Sequence, residues 1–462
     1  MMSANDGRSL RPGRVAGSAL FVLCLLWMLP LSGRAGETEP ADMKAQFSPC
    51  SGCGGCTTCG KDVLTFGGSF RTRGEIREAY GFNDDAAVGD EDFLLTRLRL
   101  NATWTPNENV TGFVDLHDAR MLFEDVIDDN DDTPNIFADN ADLHQLWMQF
   151  KTGDVAIKVG RQKLNFGTQR LVGALEWVNT ARSFDAVRVT LGDPKSRTLD
   201  LVSSRVVAVN PDSFNTWERT GNRYWNSDFH TIYFTDKEWF CNTTLDVYWM
   251  FRHEDDVNDA VHTLGTRFAR KSGPWDYDGE FAVQWGDFGG LDQEAWAAHF
   301  GGGYTFECLN NLRLGAAYNF ATGDGNPNDG DAETFDNLFP TNHKFYGYAD
   351  RQAWKNTHNI ELSAKMKVCK WTLRTAYHAF WLDEEDTDHL YGAAGGAIRN
   401  TVAANNPGAY VGSEIDITAN YPISKKVSLA AGYSHYFTGD FLDDTGTDDD
   451  VDFAFLQVLC KF

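Results

Sequence analysis

Trp371-Thr372-Leu373-Arg374-Thr375-Ala376-Tyr377-His378-Ala379-Phe380-Trp381 alternates with period two. Trp371, Leu373, Thr375, Tyr377, Ala379 and Trp381 fall on one face. Thr372, Arg374, Ala376, His378 and Phe380 fall on the other. Successive side chains of a strand point to opposite faces, so this is a strand with one apolar and one mostly polar side. Tryptophan at both ends of the apolar face matches the aromatic girdles of a strand that crosses a membrane.

The pattern recurs along the chain. Leu94, Leu98, Leu100, Ala102 and Trp104 oppose Arg97, Arg99, Asn101 and Thr103. Leu245, Val247, Trp249 and Phe251 oppose Asp246, Tyr248 and Arg252. Ile360, Leu362, Ala364 and Met366 oppose Glu361, Ser363 and Lys365. About eighteen such segments follow one another from Asp62 to the end, starting near residues 63, 92, 109, 142, 154, 183, 198, 229, 243, 262, 276, 294, 312, 357, 371, 411, 427 and 451. Short connections (106–108, 152–154, 367–370, 422–426) alternate with long ones (120–141, 163–182, 210–228, 321–356, 382–410). Bacterial outer-membrane barrels have short periplasmic turns and long extracellular loops. The fold class expected is therefore all-β: a transmembrane antiparallel β-barrel of about eighteen strands, with a periplasmic N-terminus. The chain ends on Phe462, as last strands of such barrels do.

The N-terminus fits an exported protein. Arg8, Arg11 and Arg14 precede an apolar run from Val15 to Leu31, and Gly33-Arg34-Ala35 offers small residues for cleavage. Residues 1–35 read as a signal peptide. Leu23 before Cys24 does not suit a lipoprotein processing site. Mean hydropathy is −0.39, which does not argue against a barrel, because only alternate strand residues meet lipid. The net charge is −25. Residues 1–35 hold four arginines and one aspartate, so the remainder has 37 basic and 65 acidic residues, a charge of −28. A chain this acidic is not a nucleic-acid binder. The acids crowd into expected loops such as Asp128-Asp129-Asn130-Asp131-Asp132, whereas the arginines sit inside strands. Asp324–Asp331 comes nearest to a calcium loop and lacks its spacing, so these acids read as solvated.

Residues 36–61 form a separate cysteine-rich segment, with the barrel over 62–462. Cys50, Cys53, Cys56 and Cys59 are spaced C-x2-C-x2-C-x2-C, which admits disulfides in an oxidising compartment or a metal. Cys241, Cys308 and Cys369 fall in expected periplasmic turns, and Cys460 lies near the periplasmic C-terminus. All eight should gather at one rim, where the N-terminal segment could hold a periplasmic partner.

Charge on the lipid face costs about 2–4 kcal/mol for Arg or Lys at the bilayer midplane, so strand charges are assigned to the lumen. These are Arg71, Arg73, Glu75, Arg77, Arg97, Arg99, Lys158, Arg188, Arg252, Arg313, Lys365 and Arg374, with Asp246, Asp278, Glu280, Glu361, Glu414 and Asp416. A guanidinium fork suits carboxylate-bearing solutes; the alternative is that these charges pair with one another and stiffen the wall. Residues 163–182 carry Leu164, Phe166, Leu171, Val172, Leu175 and Trp177, more apolar side chains than a solvated loop needs. They are expected to fold back as a constriction bearing Arg170, Glu176 and Arg182 next to Arg161, rather than stay outside as a compact loop. The eleven histidines are scattered, and no catalytic or metal-ligand spacing occurs. The chain is not expected to be an enzyme or to need a cofactor.

Two stretches are more specific. Val159-Gly160-Arg161-Gln162-Lys163-Leu164-Asn165-Phe166-Gly167-Thr168-Gln169-Arg170-Leu171-Val172-Gly173, continuing through Glu176-Trp177 and Asn179 to Arg188, and Gly432–Phe441 (GYSHYFTGDF) resemble the alginate-export family of outer-membrane channels. The resemblance covers about residues 65–462. It implies an eighteen-stranded barrel whose arginine-rich, partly acidic lumen passes an anionic polysaccharide, or small anionic solutes in members unlinked to alginate. The partners implied are outer-membrane lipid and the transported anion.

Overall fold

The computed structural model describes residues 63–83, 90–122, 137–211, 214–216, 227–254, 257–402 and 405–462. The signal-peptide and cysteine-cluster expectations lie outside them.

Among the described residues eighteen long strands run antiparallel, each paired to the next. They are β1 Val63–Glu78, β2 Glu91–Asn107, β3 Val110–Leu122, β4 Asp139–Thr152, β5 Val155–Gln162, β6 Phe184–Asp193, β7 Arg197–Val206, β8 Asp228–Glu238, β9 Thr243–Glu254, β10 Asp259–Ser272, β11 Trp275–Phe288, β12 Leu291–Phe306, β13 Leu312–Ala321, β15 Thr357–Val368, β16 Trp371–Trp381, β19 Tyr410–Pro422, β20 Val427–Thr438 and β21 Val451–Lys461. Three short strands, β14 Asp331–Ala332, β17 Leu390–Tyr391 and β18 Ala397–Arg399, lie in connections. The sheet closes where β1 meets β21, from Ser69 opposite Lys461 to Glu78 opposite Asp452. Every long strand begins within three residues of its sequence-based position, because period-two patterning over ten or more residues is a strong signal.

The two faces differ as the alternation requires. In β1 and β2, Phe70, Leu98 and Leu100 point outward and exposed, while Arg71, Arg73, Glu75, Arg77, Arg97 and Arg99 are buried inside. Outward aromatics gather near both ends of the wall: Trp104, Trp275 and Trp371 toward the short turns, Trp285 and Phe437 toward the long loops. The turn between β4 and β5 is only Gly153-Asp154. Gly153 takes φ +54° there, a left-handed value that glycine adopts without steric cost.

The long connections share one end, with two exceptions. Residues 255–258 between β9 and β10, and Gly289-Gly290 between β11 and β12, are as short as the turns opposite. Two connections, 163–183 and 322–356, turn into the lumen. Leu164, Phe166, Leu171 and Val172 from the first pack with Phe335, Leu338, Phe339, Phe345, Tyr346 and Trp354 from the second in one apolar cluster with strand residues such as Phe184 and Phe229. A large apolar side chain removed from water this way contributes about 1.5–3 kcal/mol.

Candidate functional site: the constricted lumen

The two inward segments hold each other by main-chain hydrogen bonds. Val172 bridges Phe339 in parallel. Gly173 N–H donates to Phe339 O (2.9 Å), Phe339 N–H to Leu171 O (2.8 Å) and Thr341 N–H to Gln169 O (3.0 Å). A side chain at Gly173 would collide with Thr341 and Gln169, so glycine sets this approach. Trp177 lies flat on His343, with ring centroids 3.8 Å apart, and meets the rings of Tyr348 and Phe455 edge-on. Residues 163–182 bring Leu164, Phe166, Leu171 and Val172 into the cluster shared with 322–356. The part played by 322–356 was not foreseen, although its apolar residues carry the same signal that marked 163–182.

The arginines of β1 and β2 anchor the first segment. Arg71 Nη1 donates to Glu176 O (3.0 Å) and Trp177 O (3.1 Å), and its Nη2 to Val178 O (3.3 Å) and Asn179 Oδ1 (2.9 Å). Arg73 donates to Trp177 O (2.8 Å) and lies 3.9 Å over the Trp177 ring. Arg97 donates to Val178 O (3.2 Å). Arg99 Nη1 donates to Glu176 Oε2 (2.8 Å), and Lys163 Nζ also contacts that carboxylate. Asn179, fully buried, turns its Nδ2 to the carbonyls of Thr96 (3.1 Å), Arg120 (3.2 Å) and Phe137 (2.7 Å). Burial pushes the Glu176 carboxyl up, but Arg99, Lys163 and Arg97 outweigh it and hold it well below the usual carboxylate range.

Other expected site residues also serve this frame. Glu75 pairs with Arg73 (2.6 Å) and Arg77 (2.8 Å). Arg252 is sealed from solvent against Asp259 (2.9 Å) and Asp336 of the second segment (2.8 Å). Glu414 accepts Ala349 N–H (2.8 Å). Arg161 forks onto Asp185 (2.9 and 3.0 Å). Arg170 stacks 4.1 Å from the Phe345 ring and donates to Tyr346 Oη (3.1 Å). Arg182 donates to Gly173 O and Pro340 O, both at 3.1 Å. In this half of the lumen most of the expected solute ligands are engaged with the chain itself.

Toward the short turns the lumen is open. A cavity of about 550 Å³ is lined there by Lys151, Lys158, Arg188, Lys237 and Arg267 among others, with Asp200 and Asp246. Arg188 pairs with Asp200 (2.8 Å) and Arg267 with Asp246 (2.8 Å). Lys158, opposite Arg188 in register, lies 4.1 Å from the Trp147 ring. On another part of the wall Arg313, Lys365 and Arg374 stand side by side on three neighbouring strands. There Arg313 contacts Asp276 (2.5 Å) and Arg374 contacts Glu361 (2.7 Å). Arginine–carboxylate pairing along the wall is thus common, and the cations remain partly open to the lumen.

Cys241, Cys308 and Cys369 are exposed in the short turns, and Cys460 sits near the same rim.

A closed eighteen-stranded barrel, narrowed from within by its own connections and holding a charge-lined cavity toward its short turns, defines the class of outer-membrane channel barrels. Solved structures of that shape come from Pseudomonas aeruginosa. OccK11 (OpdR) is 14% identical with a TM-score of 0.56, covering 86% of this chain and 96% of that one. OccK5 (OpdH) is 13% identical at 0.56, covering 86% and 98%. The outer membrane protein OprD is 11% identical at 0.55, covering 86% and 93%. No curated protein matches the sequence. The alginate export family model matches residues 62–455, and the chain belongs to that family.

Proposed function

We propose that the protein passes an anionic polysaccharide of the alginate kind, or small anionic solutes, across the outer membrane. The observation that carries this reading is the placement of cations below the constriction. Lys158 and Arg188 face the cavity on one part of the wall, and Arg313, Lys365 and Arg374 form a row on another. Wall carboxylates temper these cations, which suits a path on which each contact must be weak enough to release. Alginate export as the family's description supports the polymer; the lumen's mixed charge supports small anions equally.

In this reading residues 1–35 are cleaved on export, residues 36–61 stay in the periplasm, and the barrel is a passage rather than a catalyst. The exposed rim cysteines favour a periplasmic partner docking beneath the pore.

The test is reconstitution in planar bilayers. Anion-selective reversal potentials in a salt gradient are expected, together with block by an oligomannuronate and not by an oligomannose of equal length. Cation selectivity without any effect of the oligomannuronate would overturn the reading.

A further inference from the structure

Two neighbouring short turns each set a cysteine beside an exposed large apolar side chain: Cys308-Leu309 between β12 and β13, and Val368-Cys369 between β15 and β16. Lys367 N–H donates to Asn310 O (3.2 Å) and holds the two turns side by side. The turns at 108–109, 153–154, 194–196 and 273–274 carry neither a cysteine nor a large apolar residue. Cys369 takes φ +54°, a left-handed value that glycine adopts without the cost a side chain brings. The two thiols do not suit a bridge to each other. Their turns stand two strand spacings apart, about 10 Å, and a disulfide needs Cα atoms within about 7 Å. Cys241 lies four spacings farther along the wall, and Cys460 stands in the ladder opposite Phe70 and Val427.

Upstream of β1 the chain offers four more cysteines at a step of three residues, Cys50, Cys53, Cys56 and Cys59. A bridge between neighbours of that cluster closes too short a loop to be free of strain. Three extended residues span about 10 Å, the separation of the two turns. Reach is sufficient too. Cys53 and Cys56 precede Val63 by ten and seven residues, about 35 and 25 Å of extended chain. From β1 the Cys369 turn is four strand spacings away round the β21 closure, about 20 Å, and the Cys308 turn about 10 Å more. We propose that two cysteines of the cluster form disulfides with Cys369 and Cys308, drawing the N-terminal segment as a strap across one side of the periplasmic mouth, beneath the row of Arg313, Lys365 and Arg374. This rests on the channel reading above and deepens it, since a closed strap narrows the way to that row and covers Leu309 and Val368. Each bridge forms by exchange with a carrier disulfide of an oxidising compartment: two Sγ–H bonds give way to one Sγ–Sγ bond, and the carrier's disulfide is cleaved to two thiols.

The experiment caps the purified, unreduced protein with a maleimide, cuts it with trypsin and maps the peptides by mass spectrometry. Cleavage at Lys44 and Lys61 gives Ala45–Lys61 with all four cluster cysteines, while Cys308 and Cys369 fall in Ser272–Arg313 and Val368–Lys370. The expected product joins these three peptides, is lighter than their sum by two hydrogens per bridge, and comes apart on reduction. Cys308 and Cys369 capped by the maleimide, joined to another protein, or only one of them joined to Ala45–Lys61 overturns the proposal. In planar bilayers a phosphine reductant on the periplasmic side should enlarge the current steps of the native protein and leave those of the double variant Cys308→Ser, Cys369→Ser unchanged. Bridged peptides with native current steps that ignore the reductant overturn the placement across the mouth. Each of these failures leaves the channel reading intact. A native protein that does not conduct defeats that reading instead, and the peptide map still decides the bridges.

Discussion

Replacing Asn179 by alanine should unseat the inner segment while leaving the barrel closed. The Asn179 amide faces three main-chain carbonyls from β2, β3 and the residue Phe137, and its Oδ1 accepts from Arg71. An amide nitrogen has two hydrogens to share among these three acceptors, so the substitution removes two neutral hydrogen bonds worth about 1 kcal/mol each and one to a charged group worth about 1.5–3 kcal/mol. A loss of about 4 kcal/mol follows, which shifts the ratio of seated to unseated segment by about a thousandfold. Arg73 and the Trp177 stack remain, so the segment should fluctuate rather than leave the lumen. Single-channel recording should show larger, noisier current steps than the native channel. The heat-sensitive gel shift of a folded barrel should be unchanged, because no strand pairing is touched. Steps of native size and quiet baseline, in a protein that keeps its gel shift, would refute the reasoning that Asn179 bolts the constriction to the wall.

Reversing charge at Lys158 and Arg188 together (K158E, R188E) should move the reversal potential in a salt gradient toward cations; an unmoved potential would take the 550 Å³ cavity off the current path. Trp177→Ala should lower the thermal midpoint of the detergent-solubilised protein, since this half-buried tryptophan joins both segments through His343 and its loss costs less than the roughly 3–5 kcal/mol of a fully buried one; an unchanged midpoint would show that the stack contributes nothing. Because Glu176 is held well below the usual carboxylate range, its pairing contributes above the ordinary value near 4.3 and is lost only as pH falls through the depressed one. Any change in conductance between pH 7 and pH 5 should therefore be the same in the native protein and in Glu176→Gln, and a step in that window present only in the native protein would contradict the pairing. A membrane-impermeant maleimide applied to intact cells should leave Cys241, Cys308 and Cys369 unlabelled and reach them after permeabilisation and reduction; labelling from outside would reverse the orientation of the barrel.

The wall was legible in the sequence because each strand states its own register. Trp371–Trp381 shows which side meets lipid without reference to any other segment, and Arg97 and Arg99 are placed inside by Leu98 and Leu100 alone. What those arginines hold was not legible. Their acceptors are carbonyl oxygens of residues 176–179, and every residue has a carbonyl, so no residue type announces the contact. Glu176 stands in an apolar-rich connection together with its partner Lys163, but its other two partners, Arg97 and Arg99, come from a strand some eighty residues away. The second inward segment was missed for a related reason. Phe335, Phe339 and Trp354 are spread over a longer connection than 163–182, so the same excess of apolar side chains is diluted there, and only the structure shows that they pack with Val172 and Leu171.

The parallel pairing of Val172 with Phe339 also orders events in time. Its two halves hang from connections separated by eight strands, and neither half can bury its apolar side chains until the other arrives. Contacts between residues so distant in the chain form slowly, because a large loop must close first. The barrel wall pairs chain neighbours everywhere except at the β1–β21 closure, and none of its ladders needs the two segments. A freshly inserted molecule should therefore pass through a stage with a complete wall and a loosely filled lumen, leakier than the mature protein, and the wet apolar faces of the two segments would be the features by which a quality-control protease distinguishes it.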